Sequence, residues 1–208
     1  MFQQEEKGHK TKIILASASP RREQIFRNLG LDFEVSVPNG IMEQKSGDPS
    51  KIAVGNSILK ARDVLENMKT RGIQYLISGF DTIVYLGKKI FGKPLDMDEA
   101  YFFIETLSGK VHRVVTGICI IDSVSGRCLI GNEISRVKFK ALKPDEIENY
   151  LARETVLDKA GAYNIGGSGA LLIDKVQGCL YNIIGIPVFE YISLLERFDY
   201  KILYHPKE

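Results

Sequence analysis

Histidine and cysteine are scarce in this 208-residue chain, three of each, and their placement excludes several kinds of chemistry. His9, His112 and His205 are scattered, which argues against a zinc site built on histidines and against a serine–histidine nucleophile. Cys119, Cys128 and Cys179 are odd in number and lack metal-ligand spacing. They read as reduced thiols of a cytoplasmic protein, with a single bridge left open. No apolar run approaches the roughly 18 residues of a membrane span. Met1 to Lys10 is polar and has no apolar signal core, so residues 1–11 read as a disordered tail. Charge of one sign is also missing. The net charge is only +2, and no basic–aromatic stripe points to nucleic acid.

What is present is ordinary in bulk and particular in detail. Hydrophobic residues make up 44% and charged residues 26%, enough apolar material for a substantial core. Strand-like and helix-like segments alternate, the pattern of an α/β layer architecture. Ile13-Ile14 reads as a buried strand, Pro20 to Leu29 as a helix and Phe33 to Val37 as a strand. Asp48-Pro49 opens a helix to about Lys69, and Tyr75 to Leu86 is strand-like, turning back at Gly87-Lys88-Lys89 towards Ile90-Phe91. Asp96, with Glu99 three residues on, begins a helix ending near Leu107. Val111 to Asp122 and Arg127 to Lys140 form an expected antiparallel hairpin. A short helix is expected from Pro144 to about Arg153, an irregular glycine-rich loop over 161–169, a strand over 170–173 and a final helix over 188–198. No linker or repeat divides residues 12–208, so one catalytic domain is expected.

The segment Ser17-Ala18-Ser19-Pro20-Arg21-Arg22 carries most of the chemistry. Ser is a favoured N-cap and Pro a favoured first helical residue. Arg21 and Arg22 then fall in the first turn, where cations oppose the helix dipole. Free backbone N–H groups and two guanidinium forks converge there, which suits a phosphate; two solvated arginines at a helix end are the plainer alternative. Asp81 interrupts the apolar run Leu76 to Val84. A buried carboxylate costs several kcal/mol unless paired or bound, so Asp81 either caps a strand end or works in a cleft. Lys60, among Ile58, Leu59 and Ala61, and Lys93, in Phe91-Gly92-Lys93-Pro94, are each a solvated lysine or a ligand. Asp158-Lys159 is a salt bridge or part of the mouth of the glycine loop. Four cations (Arg21, Arg22, Lys60, Lys93) match the charge of a triphosphate. Two carboxylates, Asp81 and Glu43, suit a divalent metal or a positioned water, as direct phosphoanhydride hydrolysis requires.

These stretches, together with Leu59-Lys60-Ala61, Asp81-Thr82-Ile83-Val84, Gly92-Lys93-Pro94, Leu107-Ser108-Gly109, Thr116-Gly117, the segment Asp158 to Tyr163 and Gly185-Ile186-Pro187, occur in an order that resembles the Maf family of nucleoside triphosphate pyrophosphatases, also called septum formation inhibitors. The resemblance covers about Lys12 to Phe198. It implies an elongated mixed β-sheet with flanking helices and two lobes around a cleft, similar to inosine triphosphate pyrophosphatases. It also implies cleavage between the α and β phosphates with a divalent metal and a nucleoside triphosphate as the partner; oxygen ligands without a cysteine cluster suit Mg²⁺ or Mn²⁺, and the sequence leaves a homodimer open. By the same resemblance Asp81 is the proton acceptor, Ser17, Arg21, Arg22, Lys60 and Lys93 bind phosphate, and Glu43 with Asp81 holds the metal. Asp81-Thr82 and Arg21 match the dTTP/UTP branch. That branch reads Tyr-Gly-Ile-Gln-Gly where this chain reads Tyr163-Asn164-Ile165-Gly166-Gly167, so its specificity glutamine is replaced by Gly166. Pyrimidine triphosphates are expected to stay preferred, with looser discrimination. A nucleotide-binding regulator of cell division with incidental hydrolysis is the alternative.

Overall fold

The computed structural model describes residues 11–68 and 73–202. The tail Met1 to Lys10 and the end of the helix expected near Lys69 lie outside them. The elements run β1 (Lys12–Ala16), α1 (Pro20–Asn28), β2 (Phe33–Ser36), α2 (Pro49–Asn67), β3 (Tyr75–Leu86) and β4 (Lys89–Phe91). They continue with α3 (Met97–Leu107), β5 (Val111–Asp122), β6 (Cys128–Phe139), α4 (Pro144–Leu151), β7 (Ile173–Gln177), α5 (Leu180–Ile184) and α6 (Val188–Glu196). The seven strands form one mixed sheet in the order β2-β1-β3-β5-β6-β7, with β4 added alongside β3. β1 pairs parallel with β2 and β3, and the pairs β3–β5, β5–β6 and β6–β7 are antiparallel.

Strand period decides which helix meets which residue. Ile14, Ile77, Cys119 and Ile121 face α2 through Ala61 and Val64. Ile13, Leu15, Phe80 and Ile118 point to the other side, against Phe26 of α1 and Tyr191 and Leu194 of α6. Further along β3 and β5, Val84 and Val114 enter a separate cluster with Ile104 of α3 and Tyr150 of α4. The face of the sheet away from α2 therefore carries two hydrophobic clusters, one under α1 and α6 and one under α3 and α4.

α2 lies unusually close to the sheet. A Cβ at Gly79 would stand 2.2 Å from the Ser57 carbonyl oxygen, and one at Gly117 would stand 2.3 Å from the Ala53 carbonyl carbon. Only glycine permits that approach. The helix begins as its sequence predicts, with Pro49 at its first turn and the Asp48 side chain accepting the Lys51 N–H at 2.9 Å.

Two segments differ from expectation. Residues 170–172 belong to a 3₁₀ turn over Gly167–Leu172, and the strand begins only at Ile173. The turn is held from outside, because Glu154 accepts the Ser168 N–H and hydroxyl, while β7, reading Ile-Asp-Lys-Val-Gln, is recruited by pairing with β6. α5 was not expected, since five residues carry too little periodicity to register.

His112 is fully buried between Phe139 and Tyr163, with Nε2 2.9 Å from the Tyr163 hydroxyl. Burial pulls its pKa down to about 4, so it is neutral in the folded protein at pH 7. The unfolded chain takes up that proton near pH 6.5, so stability is complete above that value and falls as pH drops towards 4. Urea unfolding should show about 2 kcal/mol of lost stability between pH 7 and 5. His112→Gln should flatten that slope, and an unchanged slope in the variant would assign it elsewhere.

Candidate active site

Asp81 sits in the middle of β3 with 8% of its surface exposed, and its carboxylate is held from α2. Lys60 Nζ lies 2.6 Å from Oδ1, and Asn56 Nδ2 donates to Oδ2 at 2.9 Å. Asn56 and Lys60 are four apart, so they share one face of the helix. Asn56 is itself fixed by the Gln44 backbone, accepting its N–H at 2.8 Å and donating to its carbonyl at 3.1 Å. The same strap brings in Glu43, whose Oε1 lies 2.8 Å from Lys60 Nζ. One ammonium thus serves two carboxylates. Burial alone would raise the Glu43 carboxyl, but the hydrogen bond and charge of Lys60, with Lys93 and Arg22 behind them, hold its pKa below the usual value.

α1 supplies the facing cations. Its N-cap Ser19 is extended and Pro20 opens the helix, as the sequence predicts. Arg22 is buried and donates through Nε to the Gly185 carbonyl at 3.0 Å, through Nη1 to Ser17 Oγ at 3.3 Å and through Nη2 to Thr82 Oγ1 at 2.9 Å. Burial draws its pKa down to about 10, with the Asp81 and Glu43 charges resisting, so the cation persists at neutral pH. Ser17 Oγ also accepts the Ser19 N–H at 3.1 Å. Arg21 turns to the opposite wall, where Nη1 lies 3.5 Å from Asp158 Oδ2. Asp158 pairs with Lys159 at 2.6 Å, so that charge pair is a salt bridge, and it lines the cavity as well.

A cavity of about 890 Å³ collects these groups, a volume that accommodates a whole small-molecule ligand. Ser17, Arg21, Arg22, Glu43, Lys60, Asp81, Thr82 and Lys93 all line it. Gly166 does not: the lining there is Tyr163, Asn164 and Ile165, and Gly166 is exposed beside it, its N–H donated to Asn164 Oδ1 at 3.3 Å. Asn56 is a cavity residue that was not singled out in advance, whereas Lys159 was, as half of the Asp158-Lys159 pair. An asparagine four residues before a lysine on a buried helix face was the available signal for Asn56. Among the described residues no group of three or more His, Cys, Asp or Glu could hold a metal. Glu43 and Asp81 nevertheless both reach the Lys60 ammonium, and two neighbouring carboxylates completed by phosphate oxygens and water are the donor set that suits Mg²⁺. The residues present therefore fit a metal bound together with a phosphate ligand.

An α/β sheet whose cleft holds an ordered carboxylate among buried and exposed cations is a protein built for a polyanionic ligand. The chain belongs to the family described as Maf-like protein, whose model matches residues 12–198. It is 40% identical over 193 residues to the dTTP/UTP pyrophosphatase of Thermoanaerobacter sp. (strain X514), covering 92% of this chain and 100% of that protein. It is 37% identical over 197 residues to the dTTP/UTP pyrophosphatase of Dictyoglomus thermophilum, covering 93% and 100%. Among solved structures it is similar to the Staphylococcus aureus Ham1 protein, at 14% identity and a TM-score of 0.40, covering 62% of this chain and 71% of that one. No helix among the described residues is long and apolar enough to cross a membrane.

The sharing of Lys60 has a measurable consequence. Removing the ammonium leaves Asp81 with only a neutral amide and leaves Glu43 unpaired, whereas removing the Asp81 charge leaves Lys60 its Glu43 partner. Lys60→Met should lower stability at pH 7 by about 3 kcal/mol in urea unfolding. Adding Asp81→Asn to it should recover at least about half. Wild-type stability in the single variant would contradict the pairing.

Proposed function

We propose that this chain is a nucleoside triphosphate pyrophosphatase acting on dTTP/UTP-type nucleotides, cleaving between the α and β phosphates to give a nucleoside monophosphate and pyrophosphate. The observation that carries the reading is Asp81, a carboxylate clamped by Lys60 and Asn56 at the base of a cavity lined by Arg21, Arg22 and Lys93. The names of its relatives, dTTP/UTP pyrophosphatases at 36–40% identity, point the same way. A water oxygen bonds to the α phosphorus while the bond from that phosphorus to the bridging oxygen breaks. The proton of the water passes to Asp81, and pyrophosphate leaves. Arg22, Lys60 and Lys93 neutralise the triphosphate, because phosphoryl chemistry depends mainly on positioning and charge. Glu43 and Asp81 would hold Mg²⁺ or Mn²⁺, which when bound neutralises phosphate charge. The reading takes residues 12–208 as one catalytic domain of a cytoplasmic enzyme, and the free thiols Cys119, Cys128 and Cys179 suit a reducing compartment.

With no side chain at Gly166, pyrimidine triphosphates should be preferred by a modest margin. One base contact is worth about 1 to 1.5 kcal/mol, roughly tenfold. In a panel of nucleoside triphosphates read by pyrophosphate release, dTTP and UTP should be hydrolysed fastest, with pyrophosphate as the first product and activity abolished by excess chelator. Strong purine selectivity, orthophosphate as the first product or full activity in chelator would each overturn the reading.

A further inference from the structure

We infer that Thr116 and Asn182 are positioning residues for the Arg22 guanidinium, and that the Thr82 hydroxyl works through Arg22 and donates no hydrogen bond to the nucleobase; this rests on the reading of Arg22 as a phosphate ligand. A hydroxyl carries a single proton, and an arginine donates but never accepts. Thr116 Oγ1 lies 2.9 Å from the Asn182 carbonyl, which accepts only, so the Thr116 proton is committed there. The 2.9 Å contact between the two threonine hydroxyls must then run from Thr82 to Thr116. Arg22 Nη2 donates to Thr82 Oγ1 at 2.9 Å, which closes a chain of one polarity from the guanidinium to a backbone carbonyl. Hydrogen bonds aligned in this way reinforce one another. Thr82 has no proton left to offer a base.

The far end of the chain is anchored. Asn182 Nδ2 donates to the Val114 carbonyl at 3.1 Å and to Ser135 Oγ at 2.9 Å, and Ser135 in turn donates to the Cys179 carbonyl at 3.0 Å. These bonds tie α5 to β5 and β6. The same segment ends at Gly185, whose φ of 129° favours glycine and whose carbonyl takes Arg22 Nε at 3.0 Å. A Cβ at Gly185 would stand 3.2 Å from that nitrogen. Of the five N–H groups of a guanidinium, three are committed, to Gly185, Ser17 and Thr82. One remains on each Nη, the two-pronged arrangement that suits a phosphate. Thr116 and Asn182 are 0% exposed and lie outside the cavity lining, so any effect they have on a bound phosphate passes through Arg22.

The test compares Thr116→Val, which keeps the shape and loses the hydroxyl, with Thr116→Ser, which keeps the hydroxyl. Calorimetry with inorganic tripolyphosphate measures the phosphate site without hydrolysis, beside kcat and KM for UTP, dTTP and CTP. Thr116→Val should weaken tripolyphosphate binding and raise KM by about 5- to 20-fold, by the same factor for each base, with Thr116→Ser within about twofold of wild type. Thr82→Val should do the same, and the double variant should be no worse than either single, as members of one chain are not additive. Binding and KM unchanged in Thr116→Val would overturn the inference, as would a base-selective effect in Thr82→Val. Should Thr116→Val fail to fold, the tripolyphosphate affinity of Thr82→Val decides by the same criterion. Wild-type protein that binds tripolyphosphate but hydrolyses no triphosphate would defeat the pyrophosphatase reading and leave this inference to the binding data.

Discussion

The site depends on how closely α2 lies against the sheet. Glycines at 79 and 117 remove the two side chains that would hold the helix off, and its backbone comes down onto β3 and β5. At ordinary helix–sheet distance the Asn56 amide would fall short of a carboxylate rising from the middle of β3. At this distance it meets Asp81 at 2.9 Å. Lys60, one turn on, meets the other oxygen. The strap before α2 is fixed by the same residue, since Asn56 bonds the Gln44 backbone in both directions, and Glu43 follows. Two glycines therefore bear on the position of three charged or polar groups.

The resulting electrostatics are costly by themselves. Lys60 and Asp81 are largely withdrawn from water, and a buried ion pair rarely repays its desolvation. Arg22 is buried as well, with its pKa drawn down. Such an arrangement is explained better by a ligand than by stability, because active sites commonly hold charged groups at the expense of the fold. A polyphosphate adds negative charge against Arg22 and Lys93, while Arg21 already lies 3.5 Å from Asp158. The hydroxyl chain behind Arg22 shows the same economy, with each proton directed and one N–H left on each Nη.

Much of this was legible beforehand. Asp81 stood out because a carboxylate in an apolar strand demands an explanation, and the Ser19-Pro20 helix start because two independent capping preferences coincide. The long strands β3, β5 and β6 were visible because twelve-residue segments carry period and turn signals together. β7 and α5 were not, since each has five residues and takes its conformation from neighbours. Asn56 was missed because its importance lies in a backbone partner twelve residues away, a contact that no local pattern encodes. The four cations and two carboxylates were gathered from distant segments by their charge, the family resemblance assigned their roles, and Gly166, the one candidate left outside the lining, is where this chain departs from the family pattern.

The central claim is that Asp81 takes the proton in the chemical step, and the single-turnover rate of Asp81→Asn with dTTP tests it most directly. The substitution keeps shape, removes the charge and leaves Lys60 paired with Glu43. The account predicts a rate lower by about 10² to 10⁴, with tripolyphosphate still bound and the fold intact. A folded variant that turns over within about threefold of wild type would contradict it and move the role of base to Glu43.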